Sequence, residues 1–296
     1  MQSTEPHIFQ SLDVSSWEAG VSPGVADQAT AALEAGKILY APRLPFELSS
    51  AERRFLTPAC LAEKAKNISY RPDTGALRGT HTQGPDHDQM FALLRRYFTW
   101  SSALMRTLLP SYGHGLRPGF TSFRPAEIQG RAASWRQDDT RLHVDAFPSR
   151  PLQGLRILRV FTNVNPQNSR HWRVGEPFEN VAAKFVPTIR RPFPASSWLL
   201  QQLRIVKGRR TEYDHFMLGI HDHMKADQRY QSEVPQTEFR FPPGVTWACY
   251  TDSVSHAAMS GQFAFEQTFY LPVDAMKEPG LSPLRILERL LGRKLV

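Results

Sequence analysis

Thr140-Arg141-Leu142-His143-Val144-Asp145-Ala146-Phe147 is the stretch on which the reading of this 296-residue chain turns. His143 and Asp145 are two positions apart, and on an extended backbone that spacing sends both side chains to one face. An imidazole beside a carboxylate offers two adjacent ligands to a divalent metal. A third ligand from a distant strand would complete a two-histidine-one-carboxylate set, which leaves positions open and suits non-haem Fe(II). His256 is the candidate third ligand. It follows Pro243-Gly244-Val245-Thr246-Trp247-Ala248-Cys249-Tyr250-Thr251-Asp252, a turn, a strand and a second turn, where a jelly-roll strand would return to the mouth of its barrel. Such pairs of His and Asp are common by chance, so the flanking pattern has to carry the reading.

Outward from that stretch the pattern alternates between two textures. Before residue 118 it reads mainly helical. Ser22-Pro23 is an N-cap signal leading into Val25 to Lys37, Thr57-Pro58 repeats it, and Met90, Leu93, Leu94, Tyr97, Leu104, Met105 and Leu108 recur at helical spacing between Asp86 and Leu109. Short strand candidates follow at Phe120 to Phe123, Gly130 to Arg136, Thr140 to Asp145 and Leu155 to Asn163. A helical stretch occupies about 177–230, with Trp198, Leu199, Leu200, Leu203 and Ile205 in one segment and a further helix over Glu212 to Arg229. Strand texture resumes at Thr237 to Phe241, Val245 to Thr251, Val254 to Met259 and Phe263 to Leu271. Strands, a helical insert and more strands imply an α+β fold: a double-stranded β-helix (jelly roll, cupin-like) with N-terminal supporting helices and a helical insert between the ligand strands. The expected organisation is a single domain over 1–296, with helical support over 1–117, the jelly-roll core over 118–275, and an amphipathic C-terminal helix over 281–296. In that last helix Leu284, Leu287, Leu291 and Leu295 share a face opposite Arg285, Arg289 and Arg293. It either docks on an anionic membrane or packs on its own domain.

Composition narrows the class. A 41% hydrophobic and 22% charged chain is ordinary for a globular protein, and no apolar run is long enough to span a bilayer. Two cysteines give no disulfide framework, so a reducing cytoplasm is the expectation. A net charge of +8 favours an anionic partner. The basic residues are dispersed without a sustained basic–aromatic stripe, which argues against a nucleic-acid binder.

A facial triad can accept 2-oxoglutarate through two positions and O2 through a third. The cosubstrate's remote carboxylate then needs a cation, commonly an arginine about ten residues beyond the second histidine. Phe263 to Phe269 has none. Gln267 can hydrogen-bond a carboxylate without matching its charge. Arg159 shares strand parity with Phe161 and Asn163 and is the first candidate, with Arg156, Arg131 and Arg136 as alternatives. A rival metal cluster at His221-Asp222-His223, near His215, is weak on a helix, where residues two apart do not face each other; it reads better as a pocket rim.

The run Ser134 to Phe147, then Arg156-Ile157-Leu158-Arg159-Val160-Phe161, Asn163-Val164-Asn165-Pro166 and Trp172-Arg173-Val174-Gly175-Glu176-Pro177-Phe178, resembles the Kdo hydroxylase family. These are Fe(II)/2-oxoglutarate dioxygenases that add a 3-hydroxyl to 3-deoxy-D-manno-oct-2-ulosonic acid (Kdo) on the inner core of lipopolysaccharide. The similarity extends over about residues 20–275. It implies His143, Asp145 and His256 as metal and catalytic residues, with Fe(II), 2-oxoglutarate and O2 as cofactors and ascorbate as a supporting reductant in vitro. Arg159, Asn163 and Gln267 are the expected cosubstrate contacts. The implied partner is a Kdo-bearing lipid A precursor in the cytoplasmic leaflet, met by a cytoplasmic enzyme docked on the anionic inner-membrane surface. Arg170-His171-Trp172-Arg173 could then be a lid whose Arg170, Trp172 and Arg173 hold the sugar carboxylate, or Trp172 is a core anchor between solvated arginines. The chain departs from the general dioxygenase pattern in lacking an arginine after His256. The competing readings are a dioxygenase with another substrate and a non-catalytic jelly-roll module for acidic glycans.

Overall fold

The computed structural model describes residues 8–131, 133–192 and 210–296. Eleven strands in these residues form two sheets. The larger contains β1 (Phe9–Ser11), β2 (Ile38–Ala41), β3 (Ile68–Arg71), β4 (Ala76–Arg78), β5 (Arg117–Arg124), β6 (Arg156–Asn163), β9 (Thr246–Tyr250) and β11 (Ala264–Leu271), in the order β1-β2-β9-β6-β11-β5-β3-β4. The smaller is β10 (His256–Ser260), β7 (Arg170–Val174) and β8 (Thr237–Phe241), with β7 central. Every pairing is antiparallel except β1 with β2. This is the expected double-stranded β-helix within an α+β chain.

β6 shows why the arrangement holds. All eight of its residues are buried, so both faces are covered. Leu158 and Val160 pack into a core shared with Met90, Leu93, Leu94 and Tyr97 of the helix α2 (Gly84–Leu108), whose apolar residues recur at helical spacing. Ile157, Arg159 and Phe161 point the other way, toward the space between the sheets. Truncating a residue such as Leu94, which is fully buried, would cost about 2–5 kcal/mol.

The helices α1 (Pro23–Glu34) and α2 lie close to their expected places, and the Ser22 hydroxyl caps α1 by accepting from the Val25 amide. The first 117 residues are nevertheless less helical than their periodicity suggests. They supply β1 to β4, short strands of three or four residues at the two ends of the larger sheet, whose alternation is too brief to stand out. Among the described residues of 130–136, where a strand was expected, none is in a strand, and a 3₁₀ turn covers Trp135–Gln137. The helical insert contains α3 (Phe178–Phe185), α4 (Glu212–Ala226) and α5 (Gln228–Glu233), the break between the last two falling where Asp227 caps α5. The apolar segment from Trp198 to Ile205 lies outside the described residues.

The C-terminal helix, α6 (Pro283–Leu291), is shorter than expected and packs inward. Leu284, Ile286, Leu287 and Leu295 join a core with Phe178, Val181 and Phe185 of α3. Arg285 pairs with Asp274 and Glu288, Arg289 with Glu179, and Arg293 with Glu212. Among the described residues no helix is long and apolar enough to cross a membrane.

Candidate metal centre

The segment that carries His143 and Asp145 is not a full strand, as its alternation suggested, but is extended and locked to the approach of β10. The His143 amide donates to the His256 carbonyl at 3.0 Å, and the His256 amide returns the bond at 2.9 Å. Two residues on, the Asp145 amide donates to the Thr251 carbonyl at 2.8 Å. A reciprocal antiparallel pair sets its two side chains on the same face, so two imidazoles from distant parts of the chain sit with ring centroids 4.7 Å apart. From the other side, the Gln231 side chain of α5 acts as a substitute strand. Its oxygen accepts from the Leu142 amide at 2.8 Å, and its NH2 donates to the Leu142 carbonyl at 2.9 Å.

One ligand atom from each of His143, Asp145 and His256 lies within 4.8 Å of the others, and all three residues are buried. The His143 Nδ1 is 2.7 Å from the Arg141 carbonyl, and the His256 Nδ1 is 2.8 Å from that of Val254. A carbonyl can only accept, so each Nδ1 carries the proton and each Nε2 presents its lone pair to the site. Burial, together with the neighbouring His256, holds His143 well below the usual histidine range, and burial also lowers His256; both are neutral at pH 7. Burial alone would raise the Asp145 carboxyl. The Arg159 guanidinium is the largest opposing cause, and the group stays ionised. Arg159 stands 3.2 Å from Asp145 Oδ2, yet out of line for a hydrogen bond, and this buried oxygen has no hydrogen-bond partner among the described residues. Two neutral nitrogen donors with fixed tautomers and an ionised, incompletely satisfied carboxylate fit a divalent metal with open positions.

The triad opens into a cavity of about 590 Å³ lined from both sheets. Its floor is a ladder of charges. Arg159 on β6 reaches Asp145 on one side and Glu266 of β11 on the other, each at 3.2 Å. Arg124 of β5 takes the second Glu266 oxygen through Nε at 3.0 Å and Nη2 at 2.8 Å. Burial pushes the Glu266 carboxyl up, but Arg124 and Arg159 outweigh it and hold it low. Arg170 of β7 is buried beside them with no carboxylate within 4.0 Å among the described residues; it donates to the Gly261 carbonyl at 2.9 Å. Burial and the nearby Arg124 lower its guanidinium to about 10. Gly261, with φ +108°, is needed here, since a Cβ would sit 2.9 Å from the Arg170 Cα.

The other expected site residues divide. Arg159 lines the cavity, as its parity suggested. Asn163 does not: its amide donates to the Asn168 and Phe241 carbonyls and its oxygen accepts from the Asn165 amide, bracing a loop. Gln267 does not either. It faces away from Glu266, accepts from the Thr121 hydroxyl and donates to the Gly119 and Thr268 carbonyls. Arg170-His171-Trp172-Arg173 is a strand, β7, not a lid. Trp172 is a buried anchor stacked on the His256 ring, with centroids 5.1 Å apart, and its edge lines the cavity. Arg173 points elsewhere, to the Thr140 carbonyl and Met259 sulfur. Arg156 is tied bidentately to Asp252 behind the loop that leads to His256. His221 and Asp222 form part of the cavity wall, while His223 bonds Thr188 and His215 the Arg190 carbonyl. Glu266, Arg124, Gln231, Lys66 and Lys225 went unread in the sequence. Glu266 stands ten residues beyond His256, an acid where an arginine was sought.

A jelly roll that places two imidazoles and a carboxylate together in the wall of an open cavity has the architecture of the non-haem iron oxygenases. Residues 16–294 match the family model for 3-deoxy-D-manno-oct-2-ulosonic acid (Kdo) hydroxylase, and the chain belongs to that family. It is similar to the crystal structure of the Kdo hydroxylase KdoO, described as a non-haem Fe(II) alpha-ketoglutarate-dependent dioxygenase, in complex with alpha-ketoglutarate and Fe(III). The identity is 46% over 97% of each chain, with a TM-score of 0.94. The cobalt(II) complex of KdoO gives 47% identity over 98% of this chain and 97% of that one, with a TM-score of 0.95. Its complex with succinate and Fe(III) gives 46%, the same coverage and 0.94. No curated protein matches the chain.

Proposed function

We propose that the chain is an Fe(II)/2-oxoglutarate-dependent dioxygenase that hydroxylates Kdo at carbon 3 in a lipid A precursor. The observation that carries this is the triad: two backbone-fixed imidazoles and one ionised carboxylate, all within 4.8 Å of one another. Membership of the Kdo hydroxylase family supports the acceptor. The iron, when bound, couples oxidative decarboxylation of 2-oxoglutarate, yielding succinate and CO2, to transfer of one O2 oxygen to the sugar.

The protein's own part is placement. His143 and His256 would ligate through Nε2 and Asp145 through its carboxylate. Arg159 braces Asp145 from behind, which makes it a poor sole clamp for a second carboxylate. Arg170, buried and without an acid partner, is the better candidate for the remote carboxylate of 2-oxoglutarate, with Arg124 beside it. Trp172 stacks on the His256 ring and lines the same wall of the cavity.

Incubation with Kdo-bearing lipid A, Fe(II), ascorbate and 2-oxoglutarate tests the reading: one oxygen gained on the sugar and one succinate released per turnover are expected. Succinate without sugar oxidation would point to another acceptor. Retained glycan binding with no succinate would point to a binding module. The anchored acceptor and the +8 charge further support docking on an anionic membrane surface at the cytoplasmic leaflet. Flotation with anionic but not neutral vesicles is the expected result.

A further inference from the structure

Besides the guanidinium floor, the cavity is lined by Arg136 and Gln137 of the 3₁₀ turn Trp135–Gln137 and by residues around it. This wall is rich in cations, and nearly all are matched. Arg131 lies 3.1 Å from Asp139, Arg136 3.1 Å from Asp222, and Arg141 3.3 Å from Asp138. Two lysines break the rule. Lys225 of α4 and Lys66, just before β3, both line the cavity, and neither has a carboxylate within 4.0 Å among the described residues. They come from segments far apart in sequence yet are anchored on consecutive carbonyls of the same turn. The Lys225 Nζ donates to the Arg136 carbonyl at 3.1 Å and the Lys66 Nζ to that of Gln137 at 2.9 Å.

Lys66 is half-buried, and Lys225 is only 2% exposed. An ammonium has three N–H donors, and one carbonyl leaves a buried one far short of the solvation it gives up. A lysine in the last turn of α4 could satisfy the helix dipole equally well from the surface. Its burial toward the cavity therefore calls for an anion. Asp139 is the strongest charge acting on both lysines, though beyond salt-bridge reach of either, and Lys66 and Lys225 weigh against each other. Anchored on consecutive carbonyls, the two ammonium groups form one positive locus in the cavity that also holds the triad.

We infer that Lys225 and Lys66 form the subsite for the carboxylate of the acceptor sugar, making them specificity-determining residues. The inference rests on the hydroxylase reading for the identity of that anion. In an ulosonic acid the carboxyl is C1 and the proposed reacting carbon is C3, two bonds away. Whatever binds the carboxylate must stand inside the cavity beside the metal ligands, not out on the surface with the lipid phosphates. Arg170, held by the Gly261 carbonyl, and the lysine pair, held by the Arg136 and Gln137 carbonyls, then give two anion positions for two carboxylates, one from the cosubstrate and one from the acceptor.

The test compares the methyl glycoside of Kdo with its neutral carboxamide, by isothermal titration calorimetry on cobalt(II)-loaded protein saturated with 2-oxoglutarate. The unaltered protein should prefer the acid by at least about tenfold, as charge-assisted hydrogen bonds give. Lys225→Met should bring the two ligands to within about threefold. Each preference is a ratio within one protein, so a general loss of folded material cancels. Should Lys225→Met fail to fold, Lys66→Met, at a half-buried position, must by itself shrink the ratio severalfold. An acid preference that survives both substitutions, or no preference in the unaltered protein, overturns the subsite. Acid-selective binding lost in the variants, but with no oxygen ever transferred to Kdo by the iron-loaded protein, would keep the subsite and sink the hydroxylase reading.

Discussion

The metal wall and the guanidinium floor of the same cavity are built on opposite plans. The wall sets two neutral imidazoles beside one ionised carboxylate, all on backbone fixed by local bonds: each imidazole donates to a carbonyl two residues earlier, and the two ligand segments trade amide bonds directly. The floor uses full charges from four strands, with Arg159 and Arg124 sharing Glu266 and Arg170 left over. A metal ligand set needs fixed tautomers and directions, which short-range hydrogen bonds supply. A carboxylate site needs surplus positive charge in a dry place, which is assembled by stacking cations around too few acids. The wall tolerates little change and the floor more, because charge can be redistributed among three guanidiniums.

The largest effect should come from the wall. His143→Ala, Asp145→Ala or His256→Ala should each abolish stoichiometric Fe(II) binding and reduce turnover by well over the about 100-fold that losing an outer partner costs; metal analysis after gel filtration with parallel succinate assays checks this. Next comes the floor. Arg170→Met should raise the KM for 2-oxoglutarate by about 10–100-fold, the loss of one charge-assisted pair. Gln267→Leu should leave that KM unchanged while costing about 1–3 kcal/mol in denaturant unfolding, because its buried partners lose theirs. Equal KM effects at the two positions would erase the distinction between floor and scaffold.

A smaller effect is expected behind the wall. Gln231→Ala removes the two bonds that hold Leu142 next to the ligand, and Fe(II) affinity measured by chelator competition should fall by about tenfold with KM for 2-oxoglutarate unaltered. The smallest lies far from both regions. Arg289→Ala on α6 removes an exposed pair at 3.5 Å from Glu179 and should change stability by less than about 1 kcal/mol.

The same contrast explains what could be read without coordinates. His143, Asp145 and His256 were legible because an i, i+2 pair on an extended segment has one geometry, and the turn before His256 marks the return to the barrel. Arg159 was legible from parity along β6. Asn163 and Gln267 misled for a physical reason: a buried amide is as useful for tying backbone carbonyls as for meeting a ligand, and the difference lies in tertiary neighbours. Glu266 is not legible from sequence because an acid ten residues beyond His256 repels a carboxylate unless cations flank it, and its pairing with Arg124 and Arg159 depends on the β5-β11-β6 register. β7 reads as a charged loop because Arg170 and Trp172 face the interior and His171 and Arg173 are only partly covered, so no apolar alternation appears. The apolar face of α6 was visible in the sequence; that it covers α3 and leaves little for a membrane follows only from packing.

Anomalous diffraction from crystals grown with cobalt(II) and 2-oxoglutarate, recorded on both sides of the cobalt absorption edge, tests the central claim most directly. The account predicts one strong peak in contact with Nε2 of His143, Nε2 of His256 and the Asp145 carboxylate. A peak at His221 and His223 instead, or none between the two ligand segments, would contradict it.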